Sequence, residues 1–368
     1  MKKPFSLFVL IATLFLIAAC ESEDLSVTIV VEGEEPIEEE VVYEEGDTLF
    51  DILQERFALD YEETDFGPMI EGVESLEAGP MTYIAIYKND DLIDSGVDQV
   101  AFESGDTFRF EIAWLDENAK ALDAALELFL DQQAASYLED LQTEVVLGFY
   151  HLNRDLDIAP DFEYDEQEAG ALANMVFVEE TLEEASSELY EALGEKADTD
   201  WAYSASLYYM ALVLSEDASL YGDFEDAFVE RMNESNLEEK DNDTLSMMLL
   251  AMSVYDGEAL KETKTEVQTL LEENVYDNLY GNNSASFALT LMALLSQGVD
   301  PTDEEYVDGG MNLLEHLLSH QMEDGSFKYT LDDDETDTMF STPQAFLALC
   351  MMQKWYHGDD ALHPFVID

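Results

Sequence analysis

The sequence predicts a multidomain chain: a small α+β domain, mostly β, over residues 25–114, then an all-α domain over residues 115–368 built as a closed ring of about five to six helical hairpins. Three observations predict this. Apolar residues alternate with period two in the first stretch, and the period becomes helical after Trp114. Beyond residue 200, strongly apolar helices alternate with acidic amphipathic ones, so buried and surface helices take turns. A short pattern also recurs: a small hydroxyl residue, six intervening positions, then Ala followed by Leu or Met. It occurs at Ser204 with Ala211, Thr244 with Ala251, Ser286 with Ala293 and Ser341 with Ala348, the alanines lying 40, 42 and 55 residues apart.

The chain opens with Lys2 and Lys3, an apolar run from Phe5 to Ala18, and Ile17-Ala18-Ala19-Cys20. A basic start, a short apolar core and small residues describe an export signal over 1–19, which is removed and not read as fold. The run is short for a membrane span. A cysteine directly after small residues resembles the bacterial lipobox. That resemblance implies a palmitate-bearing lipoprotein, anchored through Cys20 to the outer face of the cell membrane. The alternative is an ordinary cleaved signal with a chance cysteine. Residues 20–24 would be a tether.

In the first domain, "SVTIVVEG" and "EEEVVYEEGD" flank Pro36 as a hairpin. "GDTLFDILQERF" reads as one helix capped by Asp47 or Thr48. "MTYIAIYKNDDLIDSG" reads as a strand, an Asn89-Asp90 turn and a second strand. "VAFESGDTFRFEIAW" reads as another hairpin, with Val100, Phe102, Phe108, Phe110 and Ile112 alternating toward one side. In the second domain, "SYLEDLQTEVVLGFYHLN" suits an early inner helix, and residues 166–193 hide part of a sixth pair. Segments 257–274 and 303–320 suit outer helices.

Composition excludes several functions. Lys and Arg number 14 and Asp and Glu 86, a formal charge of −72, or −74 without Lys2 and Lys3. No nucleic-acid footprint exists, and attraction to an anionic membrane is excluded, which leaves lipid as the anchor. At 47% hydrophobic and 11% aromatic the chain is still a folding one. With Cys20 acylated, the other cysteine, Cys350, has no partner; inside "AFLALCMM" it suits a small buried residue.

Catalytic and metal motifs are sparse. The acidic run Asp332-Asp333-Asp334-Glu335-Thr336-Asp337 fits neither the D-x-D-D acid motif of terpene cyclases nor a calcium loop. His316 and His320 stand four apart but "HLLSH" lacks the Glu of H-E-x-x-H, and an acidic outer helix suits solvated histidines. No nucleophile elbow, phosphate loop or dinucleotide fingerprint occurs. The chain is therefore not expected to be an enzyme, and no cofactor is required.

Two resemblances add to this. "GDTLFDIL", "YIAIYKNDDLIDSGVDQVAFESGDTFRFEIAW" resembles the transcobalamin C-terminal-like domain family, with Asn89-Asp90 in place of the usual Asn-Gly. Gln321, Asp324, Gly325, Ser326 and Phe327, with Ser341, Thr342 and Ala345 following, resemble the prenyltransferase and squalene-cyclase repeat, which forms an α/α-toroid. Both on one chain resemble the cobalamin carriers, although the domain order is inverted and their disulfides are absent. The resemblance implies a surface lipoprotein that holds cobalamin, or a related corrinoid, between its two domains and delivers it to a vitamin transporter. The implied ligand-facing residues are Tyr83, Tyr87 and Asn89 from the small domain, and Trp201, Tyr203, Asn282, Asn283, Ser284, Phe340, Thr342 and Gln344 from the ring. His151 would be the one inner-helix histidine available as an axial ligand; the favoured alternative is a buried structural histidine. The alternatives are a surface interaction module for a protein or glycan, and a terpenoid-type enzyme.

Overall fold

A computed structural model describes residues 24–31, 35–44, 46–64, 67–93, 95–156, 158–215, 218–276, 282–359 and 362–367. The export signal and Cys20 lie outside the described residues, as does most of the tether. The chain divides into two units, Met1–Leu115 and Asp116–Asp368.

In unit 1, β1 (Asp24–Ile29), β2 (Ile37–Val42), β6 (Thr82–Lys88), β7 (Asp91–Leu92) and β8 (Thr107–Trp114) form a sheet in the order β2-β1-β8-β6-β7. All neighbours are antiparallel except β1 and β8. Helix α1 (Leu49–Arg56) is the one the sequence predicts. Thr48 caps it, accepting from the Asp51 amide while Asp51 reaches back to the Thr48 amide. Its Leu49, Ile52 and Leu53 pack with Leu25, Val27, Ile29, Phe108 and Phe110 in one core. The Asn89-Asp90 turn forms with φ of 52° and 71°, the left-handed pair that a two-residue hairpin of this hand needs.

Two expectations are corrected. Residues 100–106 are not a strand. Both edges of β8 are already filled, by β1 and by β6, so no edge remains for a hairpin partner. Val100 and Phe102 instead pack against the core from a loop, and Ile112 is exposed. The sequence reading also left unassigned a second sheet, β3 (Leu59–Thr64), β4 (Gly67–Val73) and β5 (Leu76–Glu77). Its β3 is largely solvent-facing, so little apolar alternation marks it.

Among the described residues of unit 2 the main elements are helices. Its described helices are α2 (Glu117–Gln132), α3 (Ala134–Glu139), α4 (Thr143–His151), α5 (Ala169–Thr181), α6 (Ser187–Lys196), α7 (Ala202–Val213), α8 (Ala218–Glu234), α9 (Asn242–Val254), α10 (Lys261–Glu273), α11 (Ser284–Leu295), α12 (Leu313–Leu318) and α13 (Ser341–Tyr356). Among them, α4, α5, α7, α9, α11 and α13 each pack on the next, and α13 returns to pack on α4, closing a ring. The apolar helices predicted from the repeat are four of these inner helices. In α11 every residue is buried, and α13 is buried from Ser341 to Met352. Helices α2, α6, α8, α10 and α12 pack outside, burying narrower stripes such as Val267 and Leu271 of α10. The early inner helix is shorter than predicted. The chain breaks at Asp140-Leu141-Gln142, with Leu141 at φ 48°, so the inner helix is Thr143–His151 alone.

"QMEDGSF" is the turn that pins the last hairpin to α2. Gln321 Nε2 donates to the Ala125 carbonyl at 2.9 Å, and Gln133 Nε2 donates to the Asp324 carbonyl at 2.8 Å. Gly325, at φ +82°, approaches so closely that a Cβ would stand 2.7 Å from the Leu128 carbonyl oxygen. The acidic run that follows is structural at its fixed points. Asp333 accepts from the Thr330 amide and hydroxyl, and hydrogen bonds to its charged form hold its carboxyl below the usual range. Asp337 accepts from the amides of Met339, Phe340 and Ser341 and from the Ser341 hydroxyl, gathering the free amides at the start of α13.

Candidate functional site

The first turns of the inner helices share one end of the ring. Tyr203 of α7 feels the charges of Asp243, on α9, and Glu144, on α4. Ser286 of α11 lies close enough to Asp243 to favour its charged form. Phe327–Tyr329 joins α11 to α13: Ser284 donates its amide to the Tyr329 carbonyl and its hydroxyl to the Lys328 carbonyl, while Thr342 Oγ1 accepts from the Phe327 amide. Apolar helices lie beneath, so polar groups collect where the helices begin.

This end has an apolar rim. Trp201 precedes α7 and is 75% exposed; Met339 and Phe340 precede α13 and are 70% and 57% exposed. Helices α7 and α13 lie three steps apart around a ring of six, so these groups stand on opposite sides of the mouth.

Inside the rim, burial favours the protonated forms of the ionisable groups. Burial pushes the Glu144 carboxyl up, with a hydrogen bond from Gln142 Nε2 at 3.2 Å acting the other way. Burial likewise raises Asp243, opposed by Ser286 and reinforced by Asp241. Tyr203 is raised by burial first and then by the neighbouring carboxylates. Asp243 Oδ1 and Gln344 Oε1 are buried without a hydrogen-bond partner among the described residues. Two unfilled acceptors at the mouth are an offer to a ligand that donates hydrogen bonds.

The residues expected from the sequence divide by environment. Trp201, Tyr203, Phe340 and Gln344 belong to this mouth. Asn282 is exposed beside it. Asn283, Ser284 and Thr342 are buried in structural bonds: Asn283 caps α11 by accepting from the Ser286 amide, Ser284 holds Lys328, and Thr342 ties Phe327 to Asp337. On unit 1, Tyr83 and Tyr87 share the exposed face of the β6–β8 ribbon, opposite Ala113 and Arg109. The Arg109 guanidinium lies 4.1 Å from the Tyr87 ring centre. Asn89 is engaged in its turn, donating to Asp106 at 2.7 Å and accepting from the Thr107 amide at 2.9 Å.

Of the histidines, His151 is buried, as the structural alternative to an axial ligand expects, and His320 departs from expectation. His151 lies in the last turn of α4, at the opposite end of the ring, with Nε2 2.9 Å from the Pro364 carbonyl. His320 is buried rather than solvated. Its Nδ1 lies 2.9 Å from the His316 carbonyl, while His316 Nε2 faces the Asp308 carbonyl, so the pair does not converge. Among the described residues no three His, Cys, Asp or Glu side chains converge on one point. Cys350 is fully buried, and burial pushes its thiol well above the ordinary range. No helix among the described residues is long and apolar enough to cross a membrane.

Sequence reasoning missed Glu144 and Asp243. A signal was present: each is the one carboxylate in the first turn of an otherwise apolar helix, "TEVVLG" and "NDTLSMMLL". It was masked because acids in a first turn are ordinary helix-dipole partners.

Comparison with known proteins bears on unit 1. Residues 46–113 match a family described as a domain of unknown function, DUF4430. A solved structure from Ruminococcus gnavus ATCC 29149, described as a "putative metal binding protein", is 19% identical over 25% of this chain and 97% of its own, with a TM-score of 0.24. That likeness is too slight to argue from. No curated protein matches the chain.

Proposed function

We propose that this chain is a non-enzymatic binding protein for a bulky amphipathic small molecule, a corrinoid such as cobalamin, taken up at the mouth of the helical ring. The observation that carries the reading is the rim of Trp201, Met339 and Phe340 around the partnerless acceptors Asp243 Oδ1 and Gln344 Oε1. A broad ligand edged with amides would cover the rim and donate to those acceptors. Sites of this kind combine apolar walls with a few placed polar groups. Further support comes from unit 1, where the family match falls on the residues that carry the resemblance to transcobalamin C-terminal-like domains. In this reading the protein is exported, lipid-anchored through Cys20, and hands its ligand to a membrane transporter.

The test is calorimetric titration of the intact protein with cyanocobalamin, beside Trp201→Ala/Phe340→Ala and Tyr83→Ala/Tyr87→Ala. One corrinoid per chain is expected. Each rim aromatic removed should weaken binding by about tenfold, from roughly 1.5 kcal/mol of lost apolar contact. The Tyr83/Tyr87 variant reports whether unit 1 contributes. Absence of saturable binding to the intact protein rejects the corrinoid; unaltered binding by the rim variant rejects the mouth as its place.

A further inference from the structure

The other end of the ring carries a cavity of about 540 Å³, lined in part by Tyr150, Arg154, Asp155, Leu156, Leu182 and Glu183. Its origin is topological. Every other sequential pair of inner helices is joined through an outer helix, but the described residues between α4 and α5 contain none. The chain leaves each of these two helices through a left-handed residue, Asn153 at φ 53° and Glu183 at φ 57°, and both exits border the cavity.

The charges at this cavity are uncommitted. Arg154 is one of 14 Lys and Arg facing 86 Asp and Glu, yet among the described residues no carboxylate pairs with its guanidinium. Asp155 and Glu183 line the same space, and among the described residues neither forms an ion pair with Arg154. The Arg154 charge is felt at Cys350 within α13, the neighbour of α4 in the ring. A simple anion would meet Arg154 but also two carboxylates and a chain of −72. A simple cation would meet Arg154 itself. Tyr150, Leu156 and Leu182 add apolar surface. A ligand with both charges and an apolar body satisfies every part of the lining.

We propose that this cavity binds a hydrophobic α-amino acid as its zwitterion. Arg154 takes the carboxylate through its two-pronged guanidinium, Asp155 or Glu183 takes the ammonium, and Tyr150, Leu156 and Leu182 cover the side chain. The volume lies within the range of small-molecule sites. This inference is independent of the corrinoid reading, which concerns the opposite end of the ring.

The experiment titrates the intact protein with L-phenylalanine by calorimetry, beside phenethylamine, which lacks the carboxylate, and 3-phenylpropionate, which lacks the ammonium. L-Phenylalanine should bind saturably, and each analogue at least about tenfold more weakly. Arg154→Gln should weaken L-phenylalanine by about ten- to a hundredfold, to the level of phenethylamine, with the thermal midpoint unchanged because Arg154 is exposed. Arg154→Lys, which keeps the charge but loses the fork, should fall between. Cyanocobalamin binding by Arg154→Gln should match that of the unaltered chain, which separates the two sites. No saturable binding of L-phenylalanine, equal binding of either analogue, or indifference to Arg154→Gln would each overturn the proposal.

Discussion

Replacing Gly325 by Ala tests how the last hairpin is held to the ring. Gly325 sits at φ +82°, where an L side chain costs about 1–2 kcal/mol. The new Cβ would also stand 2.7 Å from the Leu128 oxygen and 3.0 Å from both the Leu128 carbonyl carbon and the Phe129 nitrogen. These are backbone atoms of α2, which cannot turn aside as a side chain would. Relief requires the turn to lift, stretching the bonds from Gln321 to Ala125 and from Gln133 to Asp324. Such overpacking costs a further 1–3 kcal/mol or so, for a total of about 2–5 kcal/mol. Gly298→Ala is the control: its φ is +71° with nothing within 4 Å of the added Cβ, so only the strain of about 1–2 kcal/mol is expected. The assay is urea unfolding followed by the helical circular dichroism of unit 2. A Gly325→Ala loss no greater than that of Gly298→Ala would refute the close approach.

Other expectations follow from the same geometry. Asp337→Ala strands three amides at the start of α13 and should cost about 2 kcal/mol by urea unfolding; a change below about 0.5 kcal/mol would show that water replaces the carboxylate at no loss. Glu144 and Asp243 both have carboxyls raised by burial, so each binds a proton more readily folded than unfolded. The stability this contributes is complete below the unfolded value near 4 and is lost as pH rises through the raised folded value. Glu144→Gln and Asp243→Asn should therefore gain on the unaltered chain as pH climbs through that window, and a pH-independent difference in melting temperature would contradict the burial argument. Asp90→Gly should stabilise unit 1 by about 0.5–1 kcal/mol, because glycine takes the φ of 71° without strain; thermal melting decides. Mass spectrometry of the mature N-terminus should find lipid on Cys20, and Cys20→Ala should release the protein into the medium.

Much of this architecture was legible because it depends on local pattern. The Thr48 cap, the Asn89-Asp90 turn and the strands around them are written in residues a few positions apart, where backbone and side-chain chemistry act directly. The ring was legible because its inner helices are apolar nearly all round, and such helices are stable only when surrounded. The inner helix at Ala169–Thr181, only hinted at, and the edge-like β3 were harder to see because their burial is partial and their periodicity weak. Tertiary structure decided what sequence cannot hold. It closed α13 onto α4, filled both edges of β8 so that residues 100–106 found no partner, and sent His320 inward against its helix. It also gathered Glu144, Tyr203 and Asp243, which come from three separate inner helices, into one partly dehydrated mouth. The acidity of these first-turn carboxyls is set first by burial, which depends on how the ring closes, and only then by chain neighbours such as Gln142 and Asp241.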